Sequence, residues 1–313
     1  MSAPSQQTIS PVAWVLLLLL GLIWGGSFFF ARIAVQHVPP FTLVLLRLSL
    51  AAIALHLYVF GRHDIYRALA ANWKPFLLLG LINNALPHSL LFIGQIHLSA
   101  GLASILNATT PIWTVLIANQ MTADERLTTP KIAGCLTGLA GTAVLLGPAA
   151  LAKTDIPFWA LLFPIGASIS YGLAAVFGRR FRHLPSPVTA AGQLTASSLI
   201  MLPVSLIIDH PWALPLPPAG TIGAVLGLAL LCTAFGYILF FRIITLAGAT
   251  NVSLVTLLVP PSAILLGWIF LGERLGANAI IGMGLIAAGL LILDGRLMRI
   301  LAMKRSASAS RGR

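Results

Sequence analysis

Charge is scarce in this sequence, and negative charge most of all. Only 8% of its 313 residues are Asp, Glu, Lys or Arg, with seven acids against nineteen bases. A soluble domain carries roughly 25% charged residues, so a water-facing globule is excluded and most of the surface must face lipid. Cysteine is almost missing too. Cys135 and Cys232 each sit inside an apolar run, with no CxxC or Cys/His ligand spacing. That leaves a zinc site and a disulfide framework without support, and both thiols read as small buried hydrophobes. No metal and no cofactor is expected. Within the apolar runs there are also no paired acids, and His88 has no acidic or thiol partner to complete a nucleophile–base set. Intramembrane catalysis is thereby left without equipment.

What is abundant is apolar. Residues of the AVILMFWYC set make up 58% of the chain, and the mean hydropathy is +0.96. Apolar runs fall at 12–31, 40–60, 75–95, 98–120, 131–148, 157–178, 188–208, 219–241, 247–271 and 276–295. Each is near the ~20 residues that cross a hydrocarbon core as a helix. Backbone groups in lipid must pair internally, and the runs lack the ten-residue alternation of barrel strands, so helices are expected. The fold class is therefore an all-α polytopic membrane protein with ten transmembrane helices. Residues 1–11 contain no Lys or Arg, so the first run reads as a retained helix and not as a cleaved signal.

The net charge of +12 invites a nucleic-acid reading, but the placement of the bases argues against it. They cluster in short loops between apolar runs and in the tail 296–313. With a cytoplasmic N-terminus, fifteen of the nineteen Lys and Arg residues lie in inner loops or the tail. Only Arg32, Lys153 and Arg274 then face outward, and Arg47 lies within the second run. The positive-inside bias selects that orientation, with both termini cytoplasmic. The bilayer and a small solute are the expected partners, with no nucleic acid.

The chain also repeats itself. Glu125-Arg126-Leu127, Gly134 and Gly141 recur as Glu273-Arg274-Leu275, Gly282 and Gly289 at an offset of 148. Ala100, Ser104 and Pro111 recur as Ala249, Ser253 and Pro260 at 149, and Gly25 and Arg32 as Gly172 and Arg179 at 147. Five helices per half would turn the second copy over, giving two inverted five-helix repeats at 12–148 and 157–295, between an N-terminal segment 1–11 and the basic tail. Inverted repeats are a common architecture of alternating-access transporters. Trp24–Phe28 (WGGSF, which includes Ser27), Arg47 and Ala103–Thr114 (ASILNATTPIWT) sit in the same order as the ERL segments and glycine-spaced helices. In these features the sequence resembles the EamA-type family of the drug/metabolite transporter superfamily over about residues 12–295. The resemblance implies a ten-helix inner-membrane carrier, frequently an exporter of amino acids or related metabolites.

Polar side chains kept at membrane depth mark the candidate site, because lipid makes them costly. Asn84 and His88 share a face of the third helix, and their counterparts Thr233 and Tyr237 share a face of the eighth. Ser104, Asn107 and Pro111 on the fourth helix are answered by Ser253, Thr256 and Pro260 on the ninth, and Thr110 adds polar surface nearby. Trp24 pairs with Tyr171, each followed by glycine, and Trp113 is also deep. Interhelical packing and hydrogen bonding would account for the same residues. Arg47 admits two readings: it snorkels to the outer surface, or it attracts a carboxylate or backbone carbonyls beside a cavity. Gln193 occupies its place in the seventh helix. All seven acids fall at run ends or in loops, which disfavours a cation exporter. His88 is then the central residue that could exchange a proton near neutral pH, and it is expected to bond substrate while the carrier works as a facilitator. A membrane receptor without transport, or an intramembrane enzyme, is the alternative.

Overall fold

A computed structural model describes residues 10–61, 64–121, 156–240, 255–272 and 276–293, with scattered positions between 129 and 144 and between 242 and 246. The predicted fifth run, 131–148, and the segment 247–254, which holds Ser253, therefore lie largely or wholly outside the described residues. Among the described residues, seven helices are long and apolar enough to cross a membrane: α1 (Pro11–Ala34), α2 (Pro40–Val59), α3 (Tyr66–His97), α4 (Ala100–Met121), α5 (Phe158–Phe181), α6 (Ser186–Ile208) and α7 (Ala219–Phe240). Two more helices follow, α8 (Val255–Leu271) and α9 (Ala277–Leu293). Among the described residues there is no strand. The chain is a multi-pass membrane protein.

Local chemistry explains where these helices begin. At α1 the Ser10 hydroxyl accepts the Ala13 N–H at 3.2 Å, and Pro11 starts the first turn, where its missing N–H costs nothing. With 24 residues at 1.5 Å each, α1 reaches about 36 Å and exceeds the bilayer core. Large apolar side chains point outward: Leu18, Ile53, Leu57, Leu199 and Ile207 are more than half exposed. The buried faces carry small residues, as on α1 with Ala13, Gly21, Gly25, Gly26, Ser27 and Ala31. That inversion suits lipid, where close approach of backbones replaces the hydrophobic drive.

The third apolar run is longer than its composition suggested. Its helix starts near Tyr66 and passes Pro75 before reaching the 75–95 stretch. A π-helical turn follows at Leu81–Ala85. A second π segment, Gly227–Phe235, interrupts α7 at the corresponding place. In α4 the helix breaks between Asn107 and Thr110, just ahead of Pro111.

Helix contacts follow the sequence repeat. α1 packs on α8, and α5, its counterpart, packs on α4. α2 meets the π segment of α7, while α6 meets α3; α2 and α6 also pack on each other. Glycines set the closest approaches. A Cβ on Gly25 would stand 2.8 Å from the Ala263 nitrogen and would collide with Ser262, while one on Gly172 would stand 3.0 Å from the Thr114 nitrogen. Likewise a Cβ on Gly141 would meet Gly282 and Ile286, and one on Gly289 would meet Gly134 and Gly138.

Candidate functional site

Arg47 anchors a buried polar cluster. It lies mid-way along α2 and is 8% exposed, so its side chain does not snorkel to a surface. Its Nε donates to the Thr233 hydroxyl at 2.9 Å, and that hydroxyl donates to the Leu228 carbonyl at 2.8 Å. The second bond spans five residues, the spacing of a π turn, so the irregular helix is what presents Thr233 to Arg47. The guanidinium rests over the Phe92 ring at 5.7 Å. The His88 ring stacks on Phe92 at 6.2 Å and meets the Tyr171 ring edge-on at 6.2 Å.

A second pair mirrors the first. Gln193, in Arg47's place on α6, accepts a hydrogen bond from the Asn83 amide at 2.8 Å. Thus each of α2 and α6 reaches into the π segment of the other half. Gln193 also bonds Tyr237, and Tyr171, Cys232 and Tyr237 surround Arg47. The structure brings Arg47, His88, Tyr171, Gln193, Thr233 and Tyr237 into one neighbourhood.

Two side chains on α3 lack partners. Both amide atoms of Asn84, which is fully buried, and Nδ1 of His88, which is 7% exposed, make no hydrogen bond. Buried polar groups are nearly always paired, so these two are available to a ligand or to another arrangement of the helices. Nε1 of Trp113 is likewise buried and unpartnered.

Other candidates are engaged in packing. Trp24 stacks on Phe240 at 5.5 Å and closes over Gly236, where a Cβ would stand 2.7 Å from its Nε1. Ser27 is buried on α1. Ser104 and Thr110 bond their own backbone, to the Gly101 and Asn107 carbonyls at 2.7 Å. The Asn107 carbonyl accepts from the Ser168 hydroxyl at 3.0 Å, joining α4 to α5. Ser253 and the Thr256 side chain lie outside the described residues.

Sequence reasoning passed over Phe92 and a polar cluster where α2 begins, and it preferred Asn84 to its neighbour Asn83. There the Asp209 carboxylate accepts from the Thr42 N–H at 2.6 Å and from the Thr42 hydroxyl at 2.9 Å, and Ser205 joins at 2.9 Å. Nearby, Arg32 donates to the Gln95 and Ile96 carbonyls at 2.6 and 2.9 Å, while the Gln95 amide donates to the Phe28 carbonyl. Polarity inside an apolar run was the available signal for Thr42, Gln95 and Ser205; Phe92 gave none.

The chain is similar to several known proteins over most of its length. A "probable terminal-alkyne amino-acid exporter" of Streptantibioticus cattleyicolor is 27% identical, covering 96% of this chain and 98% of its own. The Bacillus subtilis protein named "Uncharacterized transporter YoaV" is 26% identical over 86% of this chain and 92% of its own. A solved crystal structure superposes with a TM-score of 0.65 at 22% identity, covering 91% of this chain and 98% of that one, a likeness of fold. The model of the EamA-like transporter family matches twice, at residues 12–147 and 158–293. Matched along nearly its whole length by that model, the chain belongs to the EamA-like transporter family.

Proposed function

We propose that the protein is an alternating-access carrier of the bacterial-type inner membrane, exporting or facilitating the exit of amino acids or related amphipathic metabolites. Its ten helices form two inverted five-helix halves, residues 12–148 and 157–295, with both termini cytoplasmic. One observation carries the reading: the buried polar cluster is assembled from both halves, with Arg47 and His88 from one and Tyr171, Gln193, Thr233 and Tyr237 from the other. A site at such a seam is exposed alternately as the halves rock. The paired glycine contacts of α1 with α8 and of α5 with α4 support the repeat. The name of the Streptantibioticus relative supports the solute class.

Counterflow in proteoliposomes tests the carrier. Vesicles loaded with unlabelled leucine or phenylalanine should take up the labelled amino acid transiently, whereas a receptor would show only stoichiometric binding. With no carboxylate inside a span, an imposed pH gradient should not drive uphill accumulation. Uphill uptake abolished by His88→Gln would replace the facilitator by a proton-coupled carrier.

Topology follows from the same reading. Reporter tags at both termini should read out the cytoplasm, with Glu125 labelled from inside and Glu273 from outside. Labelling of both acids from the same side would exclude the inverted arrangement.

A further inference from the structure

We propose that this site holds its ligand by a carboxylate and leaves the α-amine without a charge partner. The proposal rests on the carrier reading for its physiological sense, but its geometry stands alone. Arg47 is the formal charge well inside a span, and all seven acids lie at run ends or in loops. Its described neighbours, Thr233, Phe92, Tyr171, Tyr237 and Cys232, are neutral groups. A buried cation without a counter-ion is expensive, and breaking or omitting one partner leaves that cost uncompensated. An anionic ligand supplies the missing charge.

The hydrogen bonds fix how the anion would sit. Thr233 gives its own proton to Leu228 and can only accept from Arg47, so Nε is pinned to Thr233. The guanidinium edge formed by the two terminal nitrogens takes no side chain among the described residues. Two parallel donors in a plane match the two oxygens of a carboxylate. On α3, the Asn84 amide and the His88 Nδ1, both more than nine-tenths buried, are unpartnered. A carboxylate has lone pairs beyond those a guanidinium fills; His88, which shares the Phe92 ring with Arg47, is placed to donate to them, with Asn84 four residues along α3 as a further donor. Neighbouring Asn83 is already committed to Gln193, so the unpartnered state belongs to Asn84 and not to the whole turn.

An ammonium meets the opposite conditions. Arg47 repels it, Gln193 is occupied by Asn83 and Tyr237, and the Asn84 carbonyl is one neutral acceptor. Carboxylates that lack an amine should therefore bind as well as amino acids, while amino-acid amides and amines should not.

Calorimetric titration of the purified full-length protein with three probes tests this. L-phenylalanine and 3-phenylpropanoate should bind within about threefold of each other, and L-phenylalaninamide roughly tenfold or more weaker, since losing one side of a buried charge pair is costly. Arg47→Gln should weaken both carboxylates roughly tenfold or more and leave the amide unchanged, with Arg47→Lys in between. The wild-type comparison needs no variant to fold. Equal binding of the acid and its amide, a tenfold loss for 3-phenylpropanoate, or no binding of either carboxylate would overturn the proposal. Counterflow separates this failure from that of the carrier reading. Exchange of a solute without a carboxylate would keep the carrier and sink the carboxylate site. Arg47-dependent binding without exchange would keep the site and sink the carrier.

Discussion

Gly25→Leu should leave little folded protein, as monitored by monodisperse elution and a melting transition in detergent. The new side chain would enter the seam between α1 and α8, where even a Cβ comes within 2.8 Å of the Ala263 nitrogen. A flexible neighbour could step aside, but backbone cannot without moving the whole helix. Overpacking a tight interior costs about 1–3 kcal/mol and occasionally more; with two helices forced apart, the upper end or beyond is expected. Gly172→Leu should behave the same way, because its Cβ would meet the Thr114 nitrogen and the Trp113 carbonyl carbon of α4. Gly223, on α7, is the control: nothing lies within 4 Å of its Cβ position. Gly223→Ala should be neutral or stabilising by up to about 1 kcal/mol, the difference in helix propensity. A melting temperature lowered equally by Gly25→Leu and Gly223→Leu would show that the α1–α8 seam is not close-packed as described.

Asp209→Ala should cost about 2 kcal/mol, within the range for hydrogen bonds to a charged group. Asp209 ends α6, and its carboxylate satisfies a first-turn N–H of α2, which begins 169 residues earlier at Pro40. The negative charge also faces the positive end of the α2 dipole. Asp209→Asn keeps an acceptor and loses the charge, so it should lie between the two. Thr42→Val removes the hydroxyl but retains the N–H bond, and should cost less than Asp209→Ala. If Asp209→Ala melts with the wild type, solvent replaces the carboxylate at no cost and the contact is not stabilising.

These contacts show what a sequence can and cannot disclose. The spans were legible because lipid imposes apolar composition on some twenty residues at a time. Gly25 and Gly172 stood out because the repeat set them in register. Arg47, His88 and Thr233 were visible as polar exceptions in apolar runs. Their mutual placement was not, since Arg47 reaches Thr233 across 186 residues of chain. Asp209 read as a loop acid, and nothing local ties it to Thr42. Asn83, the partner of Gln193, could not be told from Asn84, because a π turn shifts which side chain faces a neighbour and leaves no mark in composition. Trp24 and Thr110 were chosen for polarity or bulk and are occupied by packing and backbone bonds.

The two π segments have a historical consequence. A π turn closes its hydrogen bond at i→i+5, so it holds one residue more than the α turn it interrupts. Here the interruptions fall at Leu81–Ala85 and Gly227–Phe235, and Asn84 corresponds to Thr233 at the offset of 149 that relates Ser104 to Ser253. Independent insertions at the same turn of both copies would be a coincidence. A widened turn already present before the two halves diverged would account for both. Descent then diverged in chemistry while keeping the irregular backbone: one copy retained Asn83-Asn84 and the other Cys232-Thr233. On that account the widened turn would be older than the asymmetry of charge that now sits beside it.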